Sequence, residues 1–304
     1  MAIYSIRDLE KLSGIKAHTI RIWEQRYGMI EPRRTKTNIR YYEDEDLKFI
    51  LNVALLNKNG IKISKIAKMA KHDIAEKVSA ISEVNFEFDT QLDALTLSMI
   101  EMDEYKFDRI ITMNVQKMGF ERTMLEIVQP FLDRLSLLWL TGSIRPVQEN
   151  FISYLIRQKI VTAIDNEPFI LGGGIKKFLL FLPEGESQEL SLLFLHYLLK
   201  VRRNQVIYIG QDMSINDLQD VFTIHKPDYL YTMITETFSK EPVQQYIDTL
   251  IARFPSCQIM VSGYQVLTQN VKSSNRVTIL KSLDQTIKFL DQLKNRNTDG
   301  AHEL

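Results

Sequence analysis

Cysteine is almost absent: Cys257 stands alone in 304 residues, which excludes an internal disulfide and leaves no thiol cluster for a structural zinc. Long apolar runs are missing as well. Even Leu190 to Leu199 is broken and short, so nothing can span a bilayer, and no signal peptide opens the chain. Together these absences predict a cytoplasmic protein with no membrane partner. The five histidines, His18, His72, His196, His225 and His302, show no metal-ligand spacing. Neither a Ser-His-Asp order, a pair of catalytic carboxylates nor a phosphate loop is recognisable. We therefore expect no metal, no catalytic residues and no enzyme.

Net charge is also absent, but only in the sum. Residues 1–75 carry 15 Lys/Arg against 9 Asp/Glu, and the remainder carries 23 against 29. A basic head on an acidic body suits DNA binding coupled to sensing or assembly. With 45% apolar residues the chain can bury cores in two or three domains.

The head centres on Gly14 to Tyr42. Ala17, Ile20, Trp23 and Tyr27 recur at three- and four-residue spacing and form the inward face of a short helix. Its other face carries His18, Arg21 and Gln25, the candidates for reading bases. A preceding helical pattern over 5–13 and a turn at Gly14 complete a helix-turn-helix, whose second helix enters the major groove. Pro32 ends the helical stretch, and Arg33, Arg34, Lys36 and Arg40 flank a polar turn before Tyr41 and Tyr42, a basic hairpin or wing. Asp44 to Asn59 continues as an amphipathic helix with Leu47, Ile50, Leu51, Ala54 and Leu55 inward, and 63–70 makes one more. Lys62, Lys65 and Lys68 on that segment are either an exposed lysine face or phosphate contacts. Residues 72–87 carry a weak helical pattern and then lose it, and we expect the flexible connection there.

Thr19-Ile20-Arg21, Trp23-Glu24, Arg26-Tyr27-Gly28, Pro32, Arg34-Thr35, Arg40, Tyr42 and Asp46-Leu47 resemble the signature of the MerR family of winged-helix transcription regulators. Trp23 to Gly28 is similar to its light- and cobalamin-responsive CarH/LitR branch. The match is dense over about seventy residues. It implies contacts to double-stranded promoter DNA from His18, Thr19, Arg21, Gln25, Arg26, Arg33, Arg34, Lys36, Arg40, Tyr42, Lys62 and Lys65, at least a homodimer on DNA, and RNA polymerase as an indirect partner. Lys16 departs from the pattern, because many members have a helix-capping Ser there.

In the body, helical patterns run over roughly 89–101, 103–118, 120–141 and 146–165. The stripes Phe107-Ile110-Ile111-Met118, Met124-Ile127-Val128-Phe131-Leu135-Leu138 and Val147-Phe151-Tyr154-Leu155-Val161 argue for a four-helix bundle. After Gly172-Gly173-Gly174, read as a linker, short apolar runs alternate with helical stretches: a doubly wound parallel, Rossmann-like sheet. The fold class is therefore multidomain, α and α/β. We expect a winged helix-turn-helix head at 1–75, a linker or helical connection at 76–88, the bundle at 89–168, the sheet at 175–296 and a tail at 297–304.

A bundle followed by such a sheet resembles the cobalamin-binding modules of the CarH/LitR regulators and of methionine synthase. That family holds cobalamin through Asp/Glu-x-His-x-x-Gly, whose His is the lower axial ligand of cobalt. The matching run here is Glu186-Ser187-Gln188-Glu189-Leu190-Ser191, with Gln188 for the His and Ser191 for the Gly. An amide is a poor cobalt ligand, and Ser191 adds bulk where the nucleotide tail would approach the backbone. Trp139 and Glu149 match the family's Trp-x9-Glu-His, with Asn150 in place of that His. Ser262-Gly263 keeps half of a Gly-Gly that borders the tail pocket. Trp139 is otherwise a core aromatic of the bundle. The resemblance implies adenosylcobalamin as cofactor, whereas the residues predict none. The sensor has lost cobalamin, binds it without the His, or suits another ligand. A corrinoid carrier or enzyme is the alternative class, and the basic head argues against it.

Overall fold

The computed structural model describes residues 3–170, 172, 175–187, 189–236 and 242–299, the side chains of 82–84 and 294–299 excepted. It divides into two compact units, Met1–Leu155 and Ile156–Leu304. In the first, β1 (Ile3–Tyr4), α1 (Ile6–Ser13) and α2 (Ala17–Tyr27) precede β2 (Arg33–Arg34), β3 (Arg40–Glu43) and α3 (Asp44–Lys58). Ser5 starts α1 through a capping box: its hydroxyl accepts from the Asp8 N–H while the Asp8 carboxylate accepts from the Ser5 N–H. Gly14 ends the helix at φ +70°, a left-handed conformation that favours glycine. Lys16 supplies α2 with no side-chain cap. Glu10 of α1 reaches across instead, accepting from the Ala17 N–H at 3.2 Å and pairing with Lys16 at 3.2 Å. The two helices of the motif thus share one capping carboxylate, which ties their mutual angle.

Strand β3 is the middle of a three-stranded antiparallel sheet ordered β1-β3-β2, with Tyr4 opposite Tyr42 and Arg33 opposite Tyr41. Behind it Leu9, Leu12, Ile20, Trp23, Leu47 and Ile50 form the buried core of the head. α4 (Ile63–Ile66) is a single turn, shorter than the expected 63–70. The weak helical pattern over 72–87 is α5 (Lys71–Val84), which is packed on α3 with Ile74 and Val78 buried and is not the flexible connection expected there. Its apolar stripe is one residue wide per turn, enough to seal a groove but too sparse to stand out in sequence.

α6 (Phe88–Glu101) is buried at every position from Thr90 to Ile100, because α3, α5, α7 (Glu104–Met118) and α9 (Gln129–Leu140) surround it. Ahead of α9, α8 (Phe120–Thr123) runs into a π turn, Met124–Val128, in which the Gln129 N–H bonds the Met124 carbonyl. Pro130 follows with no N–H to give, and the wider turn lets the helix continue past it. α10 (Pro146–Asn166) buries Gln148, Ile152, Leu155, Ile156 and Ile160. The expected stripe through Val147, Tyr154 and Val161 is corrected, since these are 49%, 71% and 40% exposed. α10 is apolar around much of its circumference, so more than one stripe can be drawn on it.

The second unit holds a five-stranded parallel sheet in the order β5-β4-β6-β7-β8. Its strands are β4 (Lys177–Pro183), β5 (Gln205–Met213), β6 (Tyr229–Met233), β7 (Gln258–Ser262) and β8 (Val277–Ile279). They alternate with α11 (Glu189–Val201), α12 (Ile215–His225), α13 (Val243–Arg253), α14 (Tyr264–Thr268) and α15 (Leu283–Asp299). Phe178 to Leu182 is wholly buried, as a central strand covered on both faces must be. The strand order reverses at β4, which places the ligand-binding crevice of such sheets at the carboxyl ends of β4 and β6. This is the doubly wound, Rossmann-like architecture. Of the triple glycine only Gly172 is among the described residues, and no described helix is long and apolar enough to cross a membrane.

Candidate nucleic-acid interface and the edge of the sheet

α2 buries Ile20 and Trp23, the latter 4% exposed, against the head core. With that face inward, His18, Arg21, Gln25 and Arg26 are exposed and Thr19 is half-buried. The Arg26 guanidinium lies 5.5 Å from the centroid of the Tyr27 ring, a cation–π contact. In the wing, Arg34, Lys36 and the turn residues are exposed and Arg40 is half-buried. Arg34 Nη1 donates to the Asn38 side chain at 2.8 Å and to its carbonyl at 3.3 Å. Asn38 itself sits at φ +66° and closes the turn. The charge pattern of the wing does not single out Asn38; a lone Asn between two basic strands is the signal, because Asn tolerates the left-handed region.

Two expected contacts are arranged differently. Tyr42 is fully buried, and its hydroxyl donates to Glu24 at 2.5 Å. Burial, then the Glu24 carboxylate, hold its phenol proton far above the usual tyrosine range. Such a side chain pins the wing to α2 and offers no surface to a phosphate. Arg33 Nη1 pairs with Glu43 at 3.1 Å and Asp46 at 3.4 Å, so much of its charge is answered within the head. Lys62, Lys65 and Lys68 are all exposed on and around α4.

At the carboxyl edge of the sheet the polar groups face one another. Glu186 is 2% exposed, and its carboxylate bridges the loops after β4 and β6. Oε2 accepts from the N–H groups of Thr235 at 2.5 Å and Glu236 at 3.0 Å, while Oε1 accepts from Ser187 N–H at 3.1 Å. Ser187 Oγ donates to Glu236, and Gly185 N–H donates to Asp212 at 3.1 Å. Ser191 is exposed in the first turn of α11; Gln188 lies outside the described residues. At Gly263, φ is +109° and a Cβ would stand 2.3 Å from the Ile234 carbonyl oxygen. That glycine is demanded by the chain's own backbone, whatever else binds there. Ser262 Oγ shares a 2.6 Å hydrogen bond with the Tyr231 hydroxyl, whose pKa burial pushes up to about 12, the Ser262 bond working the other way.

On the bundle, Trp139 is 43% exposed beside Leu140 at 80%, so the core-aromatic reading is corrected. Glu149 is half-buried and Asn150 exposed on α10. His196 stacks on Tyr208 with centroids 5.4 Å apart, on the helix running back toward the amino end of the sheet, away from the crevice. Among the described residues no group of His, Cys, Asp and Glu could hold a metal ion. Around the crevice the matching donor set lacks an imidazole, and the buried carboxylate is engaged by its own loops. These residues do not fit a cobalt held by a protein nitrogen.

Residues 4–73 match the model of the MerR HTH family regulatory protein, and residues 91–162 that of a B12 binding domain. The HTH-type transcriptional repressor CarH of Myxococcus xanthus is 24% identical over 254 residues, covering 81% of this chain and 83% of that protein. The repressor CarA of the same organism is 24% identical over 260 residues, 85% of each chain. A cobalamin-binding protein from Desulfitobacterium hafniense DCB-2 superposes with a TM-score of 0.36 at 10% identity, over 69% of this chain and 99% of that one. Residues 4–73 thus match a MerR-type helix-turn-helix and residues 91–162 a B12-binding-type helical domain, in a chain similar over most of its length to two HTH-type transcriptional repressors.

Proposed function

We propose that this regulator grips double-stranded operator DNA with α2 and the wing, acts at least as a dimer, meets RNA polymerase only through the DNA, catalyses nothing and works without cobalamin. The observation that carries the DNA reading is the exposed edge His18, Arg21, Gln25 and Arg26 on a helix whose opposite face is locked into the core. Arg34, Lys36 and Arg40 extend this edge along the backbone of the duplex, with Lys62 and Lys65 as further phosphate contacts. Arg21→Ala, Arg34→Ala and Arg40→Ala are expected to weaken binding and to lower the salt slope by ~1 for each phosphate that an arginine no longer neutralises. Unchanged affinity in all three variants would sink the reading.

Independence from cobalamin rests on Gln188, Ser191 and Asn150, where the family pattern has ligand and clearance. The purified protein is expected to be colourless and to bind DNA alike in darkness and light. One observation favours the second reading, retention of a corrinoid without the histidine: the exposed indole of Trp139, within the stretch matching the B12 binding domain. Stacking supplies only about 1 kcal/mol beyond burial, too little to replace a coordinate bond. Gel filtration after incubation with adenosylcobalamin decides; stoichiometric retention would establish the second reading.

A further inference from the structure

We propose that Asp93, in the bundle and far in sequence from the head, is a positioning residue for DNA recognition: through Lys58 and Arg134 it holds the turn from which α2 departs. This rests on the DNA-binding reading above. Asp93 lies on α6 with its side chain 10% exposed, and it engages two cations from different elements. Its Oδ2 accepts from Lys58 Nζ, at the end of α3, at 2.6 Å; its Oδ1 accepts from Arg134 Nη1, on α9, at 2.9 Å.

Both cations converge on the end of α1. Arg134 Nη2 donates to the Leu12 carbonyl at 2.8 Å, one of the terminal acceptors that a helix leaves without an internal partner. Lys58 Nζ lies against Gly14, where any Cβ would stand 3.2 Å from it. Positive charge at a helix C-terminus also meets the negative end of the dipole. One carboxylate therefore keeps two cations in place over the α1 terminus. Beyond it the chain has little slack, because Ile15 N–H is bonded to Ser13 Oγ at 3.1 Å and Ala17 N–H to Glu10. A shift at Gly14 is passed to α2.

Further ties join head and bundle. Ser143 Oγ donates to Asp8 at 3.2 Å, Arg145 pairs with Asp44 at 3.5 Å, and Asn59 donates to Thr90 at 3.3 Å. With the head held in this way, His18, Arg21, Gln25 and Arg26 stay exposed, so the docked arrangement leaves the reading face accessible. Docking is then preorganisation: it removes orientational freedom that DNA binding would otherwise have to remove.

The test uses the full-length chain and a duplex selected by the wild-type protein from a random library. Asp93→Asn is expected to weaken binding at least tenfold with an unchanged salt slope, because every side chain that meets a phosphate is kept. Arg134→Gln should act in the same direction, and the double variant should be no weaker than the poorer single one, since both cut the same pin. Ile111→Val, which trims a buried side chain of α7 and leaves Asp93, Lys58 and Arg134 in place, should keep wild-type affinity. Wild-type affinity in a folded Asp93→Asn, a reduced slope, additive effects or an equal loss in Ile111→Val each overturns the proposal. If Asp93→Asn does not fold, Arg134→Gln carries the test, as it leaves the Asp93–Lys58 pair in place. Failure of the wild type to bind any duplex, or of Arg21→Ala to weaken it, defeats the DNA reading itself; a pin without effect in a protein that binds defeats only this inference.

Discussion

The exposed edge of the head and the carboxyl edge of the sheet are built on opposite plans. On α2 and the wing, cations project outward and hydrogen bonds such as Tyr42 to Glu24 and Ala17 to Glu10 lie behind them. At the end of β4, Glu186 turns inward and its carboxylate satisfies the backbone of two loops. A surface that holds its charges out is prepared for a charged partner of large area. An edge whose carboxylate closes its own loops is prepared for stability, and a ligand there would have to displace those bonds, each buried group left unpaired costing about 1–3 kcal/mol.

The strongest test of the contrast is Trp23→Ala. If the outward edge depends on the buried face behind it, this substitution costs the head ~3–5 kcal/mol and DNA binding falls with folding. A stable variant that selectively loses DNA would instead place Trp23 at the interface and reverse the faces of α2. Next in size is Glu186→Ala, expected to destabilise the sheet unit by about 1–3 kcal/mol in urea melts by freeing the Thr235 and Glu236 N–H groups. Its DNA affinity should not change; a stability equal to wild type would mean that the loops need no such tie.

The smallest effect is a pH dependence confined to the sheet unit. Burial first, and the nearby Lys200 second, lower the His196 pKa from 6.5 to about 4. The unfolded chain takes up a proton that the folded one resists, so stability is fully present above pH 6.5 and is lost as pH falls toward about 4. Because the ring is only half-buried, the loss is on the order of 1–2 kcal/mol, less than the full shift would give. His196→Phe should flatten the stability profile in that window, as followed by thermal melts; an unaltered profile removes His196 as its cause.

Several features were legible in sequence because they repeat at short range. Ile20 and Trp23 announced the buried face of α2, the run Phe178 to Leu182 a central strand, and the strand-helix alternation a parallel sheet. Periodicity reports local exposure, and these elements each have one covered face, or two in the case of β4. Where that condition fails, periodicity still marks the helix but not its buried face: α6, expected over 89–101 and found at Phe88–Glu101, has no stripe because it is covered all round, α10 permits more than one, and the narrow stripe of α5 gave only a weak helical pattern.

The amino-acid sequence by itself determined the head motif, the order of helices and strands, and the presence of Gln188 where the resemblance implies a ligating histidine, since each is carried by residue type and spacing within a few turns of chain. Only the tertiary structure decided that Tyr42 is a buried pin, that Trp139 stands outside the bundle core, that Gly263 answers to the Ile234 backbone and that Asp93 gathers Lys58 and Arg134 over the end of α1. Those outcomes depend on which distant segments meet, 35 and 41 residues apart in the case of Asp93. Such pairings are set by packing the whole unit, and no local pattern records them.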